Sequence, residues 1–138
     1  MAEFPSQEWI EAWERVVNDS EYTDLGEGWG VGFDGDFLFH VAADGRLPTD
    51  HYFYAALEDG EASDCREVEA PEAVDYGFVL RAPYSKWVEM TRGEIGAVDG
   101  LMSGEFEIDG DMQRVLEYSE SAAVLVDCAA CVETTYRY

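Results

Sequence analysis

The residues of this 138-residue chain whose types permit chemistry are few: two histidines, three cysteines and two Asp-Gly-Asp triplets. His40 and His51 are the only imidazole bases, and both fall in alternating, strand-like segments. His40 lies opposite the face formed by Phe37, Phe39 and Val41, which predicts that it meets solvent or a second layer of the sheet. His51 follows Asp50 directly, and adjacent strand residues point to opposite faces, which argues against a dyad of those two. No G-x-S-x-G nucleophile elbow is present. Each histidine therefore reads as structural. A small α+β hydrolase or isomerase using His40 or His51 with an Asp is the enzymatic alternative.

Cys128 and Cys131 form a C-x-x-C, a spacing used in redox and zinc chemistry. No second pair accompanies them, and they flank the apolar Ala129-Ala130, where free cysteine packs as a small hydrophobe. Asp34-Gly35-Asp36 and Asp109-Gly110-Asp111 lack the alternating oxygen ligands and terminal glutamate of a calcium loop. The first reads as a hairpin turn and the second as a strand-to-helix cap. Gly26, Gly28, Gly30 and Gly32 include G-x-G-x-G, but they sit inside a strand pattern rather than ahead of a helix, which rules against phosphate cradling. They instead let another chain segment or a ligand approach the backbone closely. The expectation is a chain with no catalytic residue, no metal site and no cofactor.

The elements that must position these residues follow from periodicity. Ser6 is a plausible N-cap for a helix in which Trp9, Ile10, Trp13, Val16 and Val17 recur at helical spacing, with Glu8, Glu11 and Glu14 on the wet side. Trp29, Val31 and Phe33 alternate with glycines and predict a strand, turned by Asp34-Gly35 into a second strand over Phe37, Phe39 and Val41. Asp44-Gly45 predicts a turn before the strand from His51 to Leu57. After the break at Asp59-Gly60, Asp64 to Val68 is a weak edge strand and Tyr76 to Ala82 a stronger one. Helical spacing follows in Trp87, Val88 and Met90, then in Ile95, Val98, Leu101 and Met102. Gly104 opens a short strand with Phe106 and Ile108 on one face. Asp111 then caps a long final helix with a stripe of Met112, Val115, Leu116, Ser119, Ala122, Ala123 and Val126. This order implies an α+β domain over 1–138, with helices covering one face of an antiparallel sheet.

Composition excludes several functions. Eight Lys plus Arg against 31 Asp plus Glu give a net charge of −23, and Lys86 is the only lysine. Such a chain cannot neutralise phosphates, so no nucleic acid is expected as a partner, nor docking on an anionic membrane. Disorder is excluded in turn, because 47% of residues are hydrophobic and 14% aromatic. The acids are interleaved with apolar residues along the whole chain, as expected of an extreme halophile whose concentrated salt screens self-repulsion. The longest apolar run, Ala122 to Val126, is too short to cross a bilayer. With an acidic N-terminus and cysteines that form no disulfide framework, the expectation is a reduced, cytoplasmic protein. The 19 aromatics exceed what a minimal core needs, and a sheet face and helix stripe that do not meet fully would leave an apolar cavity.

The stretch Trp87-Val-Glu-Met-Thr-Arg-Gly93, followed by Gly100-Leu-Met-Ser-Gly-Glu-Phe-Glu-Ile-Asp-Gly-Asp-Met112, resembles the sterol carrier protein type 2 (SCP2) family over roughly residues 4 to 120. There a helix ending in a threonine-glycine turn leads to a small-residue helix, and a short strand ending in Gly-Asp starts the closing helix. The resemblance implies a five-stranded, mainly antiparallel sheet covered on one face by helices, with an apolar tunnel between. It implies non-enzymatic carriage of a lipid or other hydrophobic small molecule. Carried over by position, the ligand-binding residues are Trp87, Met90, Met102, Phe106, Met112, Val115 and Leu116. The family's motif strand often carries lysines where this chain has Glu105 and Glu107, which counts against an anionic head group; a halophilic prokaryote as source counts against a sterol and favours an isoprenoid or acyl chain. The chain ends Tyr136-Arg137-Tyr138 rather than in a peroxisomal signal. The alanine-rich stretch from Ser119 to Val132 caps the tunnel or extends a helix across it. A partner-binding subunit with exposed aromatics is the third reading.

The charge yields a direct test. Circular dichroism at falling salt concentration is expected to show loss of structure well above physiological ionic strength. Full stability in dilute buffer removes the halophile interpretation.

Overall fold

Helix α1 (Gln7–Asn18) begins where Ser6 holds an extended backbone and its Oγ accepts the Trp9 N–H at 3.2 Å. Its buried stripe is Trp9, Ile10, Trp13 and Val17, as the spacing predicts. The computed structural model describes residues 2–136 and 138, the side chains of Ala97 and Val98 excepted, so the expected inward placement of Val98 lies outside the described residues.

Five strands build the main sheet: β2 (Phe37–Ala42), β3 (His51–Glu58), β4 (Glu61–Val68), β5 (Phe78–Pro83) and β6 (Glu107–Asp109). Their order is β4-β3-β2-β5-β6. Three neighbouring pairs are antiparallel, whereas β2 and β5 run parallel, so the sheet is mixed. Phe39, Leu80 and Ile108 lie in register across β2, β5 and β6 and share the inner face with Phe37 and Val41. Helices α1, α2 (Tyr22–Leu25), α3 (Tyr84–Thr91), α4 (Ala97–Met102), α5 (Met112–Glu117) and α6 (Ser119–Cys131) supply the other layer. This is the α+β architecture that the order of elements implied.

A second, two-stranded sheet has no counterpart in the periodicity. β1 (Ala2–Phe4) pairs in parallel with β7 (Thr134–Tyr136), which places Phe4 among Trp9, Phe53, Tyr84 and Trp87. Three-residue strands carry too little alternation to register as a pattern.

Four expectations are corrected. Trp29 to Phe33 is not a strand, and Asp34-Gly35 is not a hairpin turn. The segment runs in successive turns, with Val31 N–H donating to the Gly28 carbonyl at 3.3 Å and positive φ at Gly28, Gly30 and Gly32. Gly30 has φ +79°, and a Cβ there would sit 2.6 Å from the Leu57 carbonyl oxygen, so the backbone lies directly on the β3–β4 hairpin. The close approach expected of these glycines is therefore present, but by another chain segment. The final helix is likewise not continuous: it breaks at Tyr118 (φ −112°, ψ 30°) into α5 and α6. The edge strand β4 also begins at Glu61, three residues before the expected start, with a register shift opposite Tyr54 and Ala56.

Helix α3 starts after Pro83, whose side chain cannot cap it. Asp44, from the β2–β3 turn, does so from a distance: Oδ2 accepts the Ser85 N–H at 2.9 Å, while Oδ1 accepts Arg46 and Leu47 N–H at 2.8 and 3.1 Å. Partial desolvation opposes ionisation, but these backbone donors outweigh it and hold the Asp44 carboxyl below its usual range. Asp50 is lowered too, by the Ala43 N–H and by His40. Because both folded values are depressed, their contribution to stability is present above the unfolded carboxylate range and disappears as pH falls through the folded values. Asp44→Ala is expected to lose about 1–3 kcal/mol at neutral pH and to flatten the acid limb of a urea-unfolding series; an unchanged limb would refute the cap.

Candidate functional site

Between the inner sheet face and the helices lies an apolar cavity of about 90 Å³. Its floor is Phe37 and Phe39 of β2, Leu80 of β5 and Ile108 of β6. The walls are Trp9 and Trp13 of α1, Tyr22 of α2, Trp29 of the glycine-rich turn, and Trp87 and Met90 of α3. Leu101 of α4, Val115 of α5 and Phe106, just ahead of β6, close one side. Tyr118, Ser121, Ala122, Leu125, Val126 and Ala129 lie across the top. The alanine-rich tail segment therefore covers the cavity as helix α6. Small side chains there let it lie close, which is why Ala122 and Ala129 form roof rather than filling.

Among the described residues no Asp, Glu, Lys, Arg or His lines the cavity. Its polar atoms are nearly all occupied. Trp13 donates its indole N–H to the Leu125 carbonyl at 3.1 Å, Trp29 to Gly35 at 2.8 Å, and Trp9 to Thr134 Oγ1 at 3.2 Å. Trp87 Nε1 lies 3.2 and 3.1 Å from the His40 and Ala82 carbonyls, and Ser121 Oγ donates to the Tyr118 carbonyl at 2.8 Å. The environment can hold hydrocarbon and cannot solvate an ion.

Four residues named from the sequence, Trp87, Met90, Phe106 and Val115, come together on this wall. Three do not. Met102, Met112 and Leu116 are 83%, 42% and 69% exposed and point outward. On α5 Val115 is the buried residue, while Met112 and Leu116, one turn apart, lie on the adjoining flank exposed to solvent. Sequence reasoning missed Trp9, Trp13, Tyr22, Trp29 and Leu125. The helical stripe of α1 contains the first two, while Tyr22 sits in a four-residue helix with no periodicity and Trp29 belongs to a strand-like alternation.

Both histidines meet carboxylates, but outside the cavity. His40 Nε2 is 2.8 Å from Asp50 Oδ2 on the opposite sheet face, with its ring 4.5 Å from that of Tyr52. His51 Nδ1 is 2.7 Å from Glu67 Oε2 on the neighbouring strand. The partner of Asp50 is thus His40 rather than its neighbour His51, and neither imidazole reaches the cavity. Cys128 is buried and Cys131 exposed on α6, and burial pushes the Cys128 thiol up, away from the thiolate. Among the described residues no three His, Cys, Asp or Glu side chains converge as metal ligands, and no helix is long and apolar enough to cross a membrane.

A mixed sheet covered by helices around an aromatic cavity defines an α+β domain of the sandwich type. Residues 38–122, more than half of the chain, match the model of the SCP-2 sterol transfer family, and the chain belongs to that family. Its fold is similar to a crystal structure of sterol carrier protein 2, at 25% identity and a TM-score of 0.80, over 92% of this chain and 97% of that one. A solution structure from Thermus thermophilus, of a conserved hypothetical protein described as a candidate sterol carrier protein, matches at 25% identity and a TM-score of 0.76, over 92% and 87% of the two chains. The sterol carrier protein domain 2 of Helicoverpa armigera shares the fold at 13% identity and a TM-score of 0.56, over 98% and 99%. No curated protein matches the chain. Members of the family bind and transfer lipids.

The two sets of residues separate in their energetics. Phe106→Ala is expected to cost about 3–5 kcal/mol in urea unfolding, because it enlarges a buried void. Met112→Ser and Leu116→Ser are expected to stay within about 0.5 kcal/mol, as exposed positions do. A large loss at Leu116 would contradict its outward placement.

Proposed function

We propose that this protein is a non-enzymatic carrier of a hydrophobic small molecule, an acyl or isoprenoid chain, held between the sheet and the helices. The observation that carries the reading is the cavity wall: among the described residues it has nine aromatic side chains and no carboxylate, imidazole, amine or guanidinium. Affinity would come from apolar burial, at roughly 25 cal/mol per Å² before the costs of ordering the ligand. Trp87, Met90, Phe106 and Val115 are the proposed contacts, together with Trp13, Leu101 and Ala122 of the same lining.

At about 90 Å³ the cavity is small for such a ligand. A cavity of about 150 Å³ takes a single benzene. A longer chain therefore enters by displacing part of the wall, to which the six-residue helices α4 and α5 contribute Leu101 and Val115. Free thiols at Cys65, Cys128 and Cys131 fit a reducing, cytoplasmic setting, and the charge of −23 fits concentrated salt.

Native mass spectrometry of protein purified without delipidation is expected to show one apolar adduct per chain. Ala122→Phe, which places a ring in the roof of the cavity, is expected to weaken binding of a neutral fluorescent lipid probe by at least about tenfold while the fold persists. Unaltered binding in that variant would put the ligand elsewhere and end the proposal.

A further inference from the structure

The C-x-x-C motif takes no part in the cavity. Cys128 and Cys131 stand on the last turn of α6, and both line a separate, open groove of about 510 Å³ between that turn and the end of α1. Cys131 is exposed, whereas Cys128 is only 4% exposed. An α-helix places residues three apart with their Cα atoms about 5 Å from each other, inside the range that a disulfide bridges. Helix α6 ends at Cys131, and Val132 already has extended backbone (φ −76°, ψ 125°). The second cysteine therefore has the freedom of a helix end.

The two thiols are suited to different steps. Burial pushes the Cys128 thiol up against the Ser20 hydroxyl, and Cys131, Asp127 and Glu21 add to the rise. Such a thiol does not open an exchange with a reagent from solvent, whereas the exposed Cys131 is within its reach. Cys65 belongs to neither step: it is buried on β4, outside the groove, and burial with Glu14 beside it raises its thiol. The position of the pair also matters. Ala129, between the two cysteines, is 1% exposed and lines the roof of the cavity, and the chain runs on from Val132 into β7.

We propose that Cys128 and Cys131 are a thiol–disulfide exchange pair that reacts with a low-molecular-weight disulfide and closes a reversible clasp on the last turn of the roof helix. The Cys131 thiolate attacks one sulfur of the reagent, the reagent's S–S bond breaks, and the departing thiolate takes up a proton. Cys128 then gives its proton to solvent and attacks the Cys131 sulfur. The mixed disulfide breaks, and the second thiolate leaves and is protonated. Two cysteine thiols are oxidised and one disulfide is reduced to two thiols. Asp19, Glu21 and Asp127 outnumber Arg15 in the groove, so a cationic disulfide suits it. A pair that opens and closes in this way is compatible with a reducing compartment, where disulfides are transient. The proposal stands whether or not the cavity carries a ligand.

The test treats the full chain, reduced and in concentrated salt, with cystamine, followed by an acid quench and mass spectrometry. The wild type is expected to lose two hydrogens and keep no adduct. After alkylation and digestion, Cys128 and Cys131 are expected in one disulfide-linked peptide and Cys65 as the free thiol, and dithiothreitol is expected to restore all three thiols. Cys128→Ala is expected to stop with one cysteamine on Cys131, and Cys131→Ala to acquire neither adduct nor disulfide. Amide exchange over the last turn of α6 is expected to be slower in the oxidised wild type than in the reduced one. The wild-type peptide map and exchange stand even where a variant fails to fold. A wild type that retains the cysteamine adduct, a disulfide between two chains or to Cys65, or unchanged amide exchange on oxidation would each overturn the clasp.

Discussion

Each buried tryptophan must find an acceptor for its indole N–H, because an unpaired donor in an apolar interior costs about 1–3 kcal/mol. All four tryptophans of this chain are buried, and each meets the requirement with an acceptor outside its own element. Trp9 ties α1 to β7, Trp13 ties α1 to the roof helix α6, and Trp87 ties α3 to both β2 and β5. Trp29 closes the glycine-rich turn on Gly35. These bonds fix the distances between sheet and helices. Since the rings are too broad to interdigitate fully, a space is left among them.

That space and the surface of the protein are electrostatically separate. The carboxylates work on the outside or at element ends: Asp44 caps α3, Asp111 caps α5 through the Gln113 N–H, and Asp36 accepts from Tyr54 and Leu57. None enters the cavity. Cations are held in the same outer shell, Arg92 over the Tyr136 ring at 4.8 Å and Arg114 over Phe33 at 4.2 Å. A chain with so negative a surface can still enclose a nearly nonpolar chamber, and the two properties answer to different pressures. On the proposed reading, salt sets the first and the ligand the second.

Much of the fold is legible because its signals are local. The Ser6 cap, the alternation of Phe37, Phe39 and Val41, the Asp59-Gly60 break and the Asp111 cap each operate within a few residues, and each appears where the pattern puts it. The glycine-rich turn misleads because alternation of large and absent side chains looks like a strand, whereas positive φ at three glycines makes turns. Its conformation is decided by contact with the β3–β4 hairpin, a partner nearly thirty residues distant in sequence. The candidate site is half legible for a related reason. Trp87, Met90, Phe106 and Val115 lie on strongly phased segments, but one break at Tyr118 is enough to turn Met112 and Leu116 outward.

By itself the sequence determined the α+β class, the helix-covered sheet and the aromatic richness that makes a cavity plausible on volume grounds. Periodicity, capping and charge balance are properties of short windows or of composition, so no folded chain was needed to read them. Tertiary structure alone decided which aromatics face one another, that α6 forms the roof, and that His40 rather than His51 meets Asp50. Those outcomes depend on hydrogen bonds and packing between residues tens of positions apart, and no local pattern encodes the space that is left when they are all satisfied.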